Sequence, residues 1–101
     1  MQQDNSDKDI GNWRDKIDAI DDQLLELFNR RAGYALEIGK IKRMISRPVY
    51  CPQREEQIYS HIREINSGPL SDSAVSRLFE RIIDETRRLE REQSEGCENG
   101  H

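Results

Sequence analysis

At 101 residues, with 34% of positions hydrophobic and 36% charged, the chain is at most one small domain with a modest core of its own. A formal net charge of -4 argues against nucleic acid as a partner, because phosphate binding calls for a basic stripe. Cys51 and Cys97, 46 residues apart with only His61 and His101 for company, fit neither a disulfide framework nor a zinc site, and read as free thiols in a reducing compartment.

Residues 1–12 are polar and acidic apart from Ile10, without the basic start and apolar run of a signal peptide, and are read as a disordered leader. No segment approaches a membrane span, so the expected location is the cytoplasm. Asn12 is a candidate N-cap for a long amphipathic helix from Trp13 to about Ser46. Its apolar series runs Trp13, Ile17, Ile20, Leu24, Leu27, then Tyr34, Ile38, Ile41 and Ile45. Between Leu27 and Tyr34 the rhythm calls for an apolar residue, and Arg31 stands there. Lys42, eleven residues later, returns to within about 20° of Arg31 on the same face. Gly33 and Gly39 mark places where a backbone or a ligand approaches closely.

Pro48 stops this helix, and Pro52 suits the first turn of a second one running to about Asn66, with Glu55, Ile58, Ile62 and Ile65 on its stripe. Gly68 and Pro69 end it. Ser71 caps a third helix from about Asp72 to Glu92, packed through Val75, Leu78, Phe79, Ile82, Ile83 and Leu89. Residues 93–101 are polar and read as a disordered tail. The fold class is therefore all-α, a three-helix chain with a long first helix. So little apolar surface cannot stabilise that helix in one copy, which points to an oligomer.

Each helix interrupts its apolar face with polar groups: Arg31 and Lys42 on the first, Glu55 beside Arg54 on the second, Thr86 and Glu90 on the third. Singly, each reads as a salt bridge or a side chain snorkelling to water. Interruption of all three faces indicates a polar pocket among helices, and the cations Arg31, Lys42 and Arg54 suit an anionic small molecule.

These residues resemble the all-helical chorismate mutases. The markers are Arg14 within WRDKIDAID, the run RRAGYALEIGKIK with Arg31 and Lys42, the segment RPVYCPQREEQ with Arg54 and Glu55, and RLFERIIDETRRLE with Thr86 and Glu90. The resemblance covers about Trp13 to Arg91, within a helical domain read as residues 13–92, and implies an intertwined homodimer that rearranges chorismate to prephenate without metal or cofactor. Arg14 lies 28 residues from Lys42, about 42 Å along a continuous helix, so it reaches the same pocket only from the partner chain. The resemblance further implies that Arg31 and the second copy's Arg14 clamp the substrate carboxylates, and that Lys42 donates to the ether oxygen. Arg54 supports the charge network, Glu55 accepts from the substrate hydroxyl, and Thr86 adds a polar contact. Glu90 stands where relatives carry Gln or Glu, and must be protonated to donate to the same ether oxygen. Cys51 replaces the Asp that many relatives place near the substrate hydroxyl. Two other readings compete: a pyruvate-lyase acting on isochorismate, and a non-catalytic helical dimer whose pocket cations are neutralised by its own carboxylates.

Overall fold

The structure, a computed structural model, describes the backbone of residues 2–99 and the side chains of residues 6–94. Among the described residues the elements are α1 (Gln2–Met44), α2 (Pro52–Ile65) and α3 (Asp72–Asn99), with no strand. The all-α, three-helix class read from the sequence is the class observed.

Two boundaries differ from that reading. The first helix begins at Gln2 instead of Trp13, and α3 continues to Asn99 instead of ending at Glu92. Neither flanking segment contains a proline, and Asp7 and Asp9 lie in the early turns, where the helix dipole favours them. Asn12 consequently sits inside α1 and caps nothing. Met1, Gly100 and His101, which the expected leader and tail also include, lie outside the described residues.

Contacts divide the chain into two compact units, with the boundary after Arg31. The first holds the N-terminal part of α1 and has no buried side chain among those described. Trp13, Ile17, Ile20, Leu24 and Leu27, the apolar series of the sequence, are between 41% and 63% exposed. The Lys16 ammonium lies 4.4 Å from the centre of the Trp13 ring, the one ring contact in this stretch among the described residues.

The second unit, from Ala32 onward, comprises the end of α1 with α2 and α3. Helices α2 and α3 pack on each other, and Ile62 and Ile83 are the buried hydrophobic side chains. Ile65 and Leu78, assigned to the packed faces, remain 64% and 54% exposed, because their stripes are wider than one α2–α3 contact can cover. The end of α1 is closed by paired backbone bonds, Arg47 N–H to Lys42 O at 2.7 Å and Ser46 N–H to Arg43 O at 3.2 Å. This closure puts Ser46 at φ 57, a left-handed position more often held by glycine.

Helix α2 starts with Pro52 after an extended Cys51, whose side chain makes no capping bond. The turn into α3 is built around Asn66. Its Nδ2 donates to Leu70 O at 2.9 Å and to Asp72 Oδ1 at 2.8 Å, while its Oδ1 accepts from Gly68 N–H at 3.2 Å. Gly68 supplies the left-handed φ of 80 that the turn requires. Ser71 caps α3 as the sequence indicates, its Oγ accepting from Ala74 N–H at 3.0 Å.

Asn66 thus ties both ends of the turn to the start of α3. Replacing Asn66 with Ala should lower the unfolding free energy by about 1–2 kcal/mol in urea titrations at fixed protein concentration. Unchanged stability would show that water replaces these bonds without cost.

Candidate active site

The second unit gathers polar groups from all of its helices. At the end of α1, half-buried Lys42 donates through Nζ to Val49 O at 3.3 Å, which draws the α1–α2 loop back over the helix end. An open groove there is lined by Lys42, Arg47, Tyr50, Cys51 and Gln53 together with two prolines. Cys51 is a half-buried free thiol. Its position beside Lys42 is the one the sequence reading assigns to a substrate contact.

Glu55, in the first turn of α2, is only 17% exposed in its side chain. A carboxylate so placed needs a cation, and Arg87 of α3 supplies one: Arg87 Nη2 donates to Glu55 Oε1 at 2.7 Å. The same guanidinium stands 3.7 Å from Asp84 Oδ1 and 5.1 Å from the centre of the Tyr50 ring. Its Nε is buried without a hydrogen-bond partner. Tyr59 lies in the same region. Burial, then Glu55, Glu80 and Asp84, push its phenol above the ordinary value of 10.0, against an opposing pull from Arg87.

Also on α3, Thr86 and Glu90 share a face. Thr86 Oγ1 donates to Ile82 O at 2.7 Å, so its proton is committed to the helix and its oxygen remains an acceptor. Glu90 is half-buried, and burial pushes its carboxyl above the ordinary value of 4.5. Lys42, Arg43 and Arg87, in that order, pull it down without cancelling the effect of burial. Among the described residues no cation stands within ion-pair distance of Glu90. Arg87, its neighbour on α3, is engaged by Glu55 instead. Gly39 is buried beside the Glu90 carboxyl: a Cβ there would lie 3.4 Å from Arg43 Nη1 and 3.6 Å from Glu90 Oε2, ordinary contact distances. Among the described residues no backbone approaches Gly39 closely enough to require glycine, and a Cβ on Gly33 would meet nothing within 4 Å.

Of the sequence-derived candidates, then, Lys42 and Cys51 line the loop groove, Glu55 is joined to the loop through Arg87, Glu90 feels the Lys42 charge, and Thr86 lies one turn before Glu90 on α3. Arg54 is exposed on the first turn of α2. Arg14 and Arg31 belong to the first unit, where Arg14 is exposed and Arg31 half-buried. No carboxylate among the described residues lies within ion-pair distance of Arg14, Arg31, Lys42 or Arg54. Arg87 was not among the site candidates; the sequence marks it only as an ion-pair partner for Glu90, three residues on, a pairing the structure replaces with Glu55. Chemically, an ammonium can stabilise negative charge growing on an oxygen, and a carboxyl whose proton is held more firmly than usual can donate to it when protonated. No group of His, Cys, Asp or Glu among the described residues could hold a metal ion. No helix among them is long and apolar enough to cross a membrane.

The family described as chorismate mutase type II matches residues 13–91. The chain belongs to this family. Among its chorismate mutase relatives, the bifunctional chorismate mutase/prephenate dehydratase of Neisseria gonorrhoeae is 41% identical over 78 residues, which are 77% of this chain and 21% of that protein. The chain thus spans about a fifth of the bifunctional relatives it matches. The chorismate mutase of Methanocaldococcus jannaschii is 30% identical over 85% of this chain and 88% of its own length. Among solved structures, form II of the Thermus thermophilus chorismate mutase superposes with a TM-score of 0.81 at 30% identity, over 83% of this chain and 96% of that one. The Helicobacter pylori chorismate mutase in complex with prephenate gives 0.76 at 28% identity, over 82% and 90%.

The raised pKa of Glu90 has a stability consequence in this chorismate mutase family member. Below pH 4.5 the carboxyl is protonated in folded and unfolded chains alike. As pH rises, the unfolded chain loses the proton first, so folding loses stability until pH passes the raised folded value. Glu90→Gln should therefore gain stability relative to the wild type as pH rises from 4.5 through the raised folded value, as urea unfolding would measure. Parallel pH dependences for the two chains would show that Glu90 titrates as an ordinary carboxylate.

Proposed function

We propose that this chain catalyses the rearrangement of chorismate to prephenate in aromatic amino acid biosynthesis, acting without cofactor as a homodimer. The observation that carries the reading is Glu90, a half-buried carboxyl inside the matched stretch that burial pushes above its ordinary value against the opposing pull of Lys42. The prephenate complex of the Helicobacter pylori relative supports the same substrate class. The proposal concerns the mutase step alone, with residues 13–92 as the catalytic part and the flanks outside it. A cytoplasmic setting, where Cys51 stays a free thiol, belongs to it.

In this reaction one ether C–O bond breaks while one C–C bond forms within the same molecule, so all atoms are retained and no proton enters or leaves. The protein needs to hold the compact conformer and to stabilise charge on the ether oxygen. Lys42 turns from Val49 O to that oxygen, and protonated Glu90 donates to it from the other side. Arg31 and the partner's Arg14 clamp the carboxylates, a task for which the forked guanidinium is suited. Arg54 adds positive potential, Glu55 accepts from the ring hydroxyl, and Thr86 offers its free lone pairs. Cys51 lines the approach by the loop. A non-catalytic dimer is the weaker reading, because it calls for cations already neutralised by protein carboxylates. The four basic residues of the site have no such partners among the described residues.

A second copy is also what the exposed stripe of α1 calls for. Covering a half-exposed Ile or Leu contributes about 1 kcal/mol, and several such side chains line the stripe. Purified chain should form prephenate from chorismate, with kcat/KM reduced about 100-fold or more in Arg31→Ala. Activity should decline as pH rises through the raised Glu90 value, and Glu90→Gln should flatten that decline. An unchanged profile in the variant would remove Glu90 from the ether oxygen.

Shared sites make a sharper test. Arg14→Ala and Arg31→Ala chains refolded together should regain about a quarter of wild-type activity, because half of the dimers are mixed and each mixed dimer holds one intact site. Absence of recovery would mean that each site draws both arginines from one chain.

A further inference from the structure

The polar cluster outside the roles above is centred on Arg87, and its contacts are specific. One guanidinium nitrogen holds Glu55 Oε1 at 2.7 Å, another lies 3.7 Å from Asp84, and the group sits 5.1 Å from the Tyr50 ring at the end of the α1–α2 loop. It therefore joins α3 to the first turn of α2 and to the loop that carries Cys51. Glu55 Oε2, by contrast, has no donor among the described residues, so one carboxylate oxygen is anchored and the other is left as an acceptor.

We infer that Arg87 is a positioning and charge-balancing residue for substrate binding, acting through Glu55. The inference rests on the proposed mutase function, in which Glu55 accepts from the hydroxyl of a substrate carrying two carboxylates. A half-buried carboxylate beside a dianion repels it, and poorly screened repulsion of this kind weakens binding. The Arg87 guanidinium offsets that charge from behind while leaving Oε2 free for the hydroxyl. Its short contact also fixes the Glu55 side chain, so that the acceptor is in place before the substrate arrives. Arg87 touches no reacting atom in this arrangement. Its effect should fall on binding more than on the chemical step.

The test is a double-mutant cycle on chorismate turnover with Arg87→Met, Glu55→Gln and the double variant, each checked for helical content by circular dichroism. Arg87→Met should raise KM about tenfold with a much smaller change in kcat. In the Glu55→Gln background, where no carboxylate charge remains to offset, the same substitution should change KM less than about twofold. Arg87→Lys should recover most of the KM lost in Arg87→Met, since it restores the charge. Equal losses in both backgrounds, a loss confined to kcat, or failure of lysine to recover KM would each overturn the inference. A wild-type chain without turnover would instead overturn the proposed function on which it stands.

Discussion

A helix of 43 residues that leaves Trp13, Ile17, Ile20, Leu24, Ile38 and Ile41 between 41% and 63% exposed is supported by little that one chain provides. Helix propensity alone holds such a segment weakly, and most helical stability in proteins comes from packing an apolar face. Among the described residues the buried hydrophobic side chains are Ile62 and Ile83, on α2 and α3. The apolar stripe of α1 is thus left exposed by the single chain, which is why the proposed function includes a second copy. Arg31 interrupts that same stripe. Any cover that excludes water from the stripe also lowers the dielectric around Arg31 and strengthens its pull on an anion. Assembly and substrate binding would then draw on one surface.

Within the second unit, charge is distributed so that Glu90 is left out. Arg87 could pair with Glu90 at a spacing of three along α3, but exposed helix pairs of that kind contribute only about 0.2–0.5 kcal/mol. The contact with Glu55 is short, and that carboxylate is only 17% exposed. Satisfying a buried charge weighs more than decorating a helix surface, so Arg87 turns to α2. Arg81 and Arg88 are meanwhile engaged with Glu85. Glu90 remains a carboxyl near three cations but bonded to none of them among the described residues. In that situation burial can win over their attraction, and the proton stays on longer than on a surface glutamate.

The parts of this arrangement legible from the sequence are those governed by periodicity and by residues with one conformational meaning. Pro48, Pro52, Gly68 and Ser71 bound the helices as their chemistry dictates, and the interrupted stripes point to Lys42, Glu55, Thr86 and Glu90. The outer helix ends were not legible, because a polar stretch without proline can be helix or coil and its composition does not say which. Ser46 was equally hidden, since serine carries no expectation of a left-handed φ. The pairing of Arg87 with Glu55 was hidden for a different reason. Glu55 is 32 positions away, and only the packing of α3 on α2 brings them together. Spacing along one helix distinguishes faces, but not a solvated arginine from one that reaches across to a neighbour.

The loop between α1 and α2 shows how closely support and chemistry are joined. An N-cap side chain usually anchors such a loop to the helix that follows, and Cys51 provides no capping bond. Two cations hold the loop from outside instead: Lys42 through Val49 O at 3.3 Å, and Arg87 against the Tyr50 ring. Lys42 belongs to the proposed charge-stabilising pair, and Arg87 anchors Glu55, the carboxylate proposed to accept from the substrate hydroxyl. The bond to Val49 is long enough to be exchanged for a stronger acceptor. A substrate oxygen that takes Lys42 would release that tether while Arg87 keeps the other end of the loop in place. The loop could then adjust around the substrate without losing its register on α2, which is the compromise a site needs when catalysis rests on the placement of charge and not on a reacting side chain.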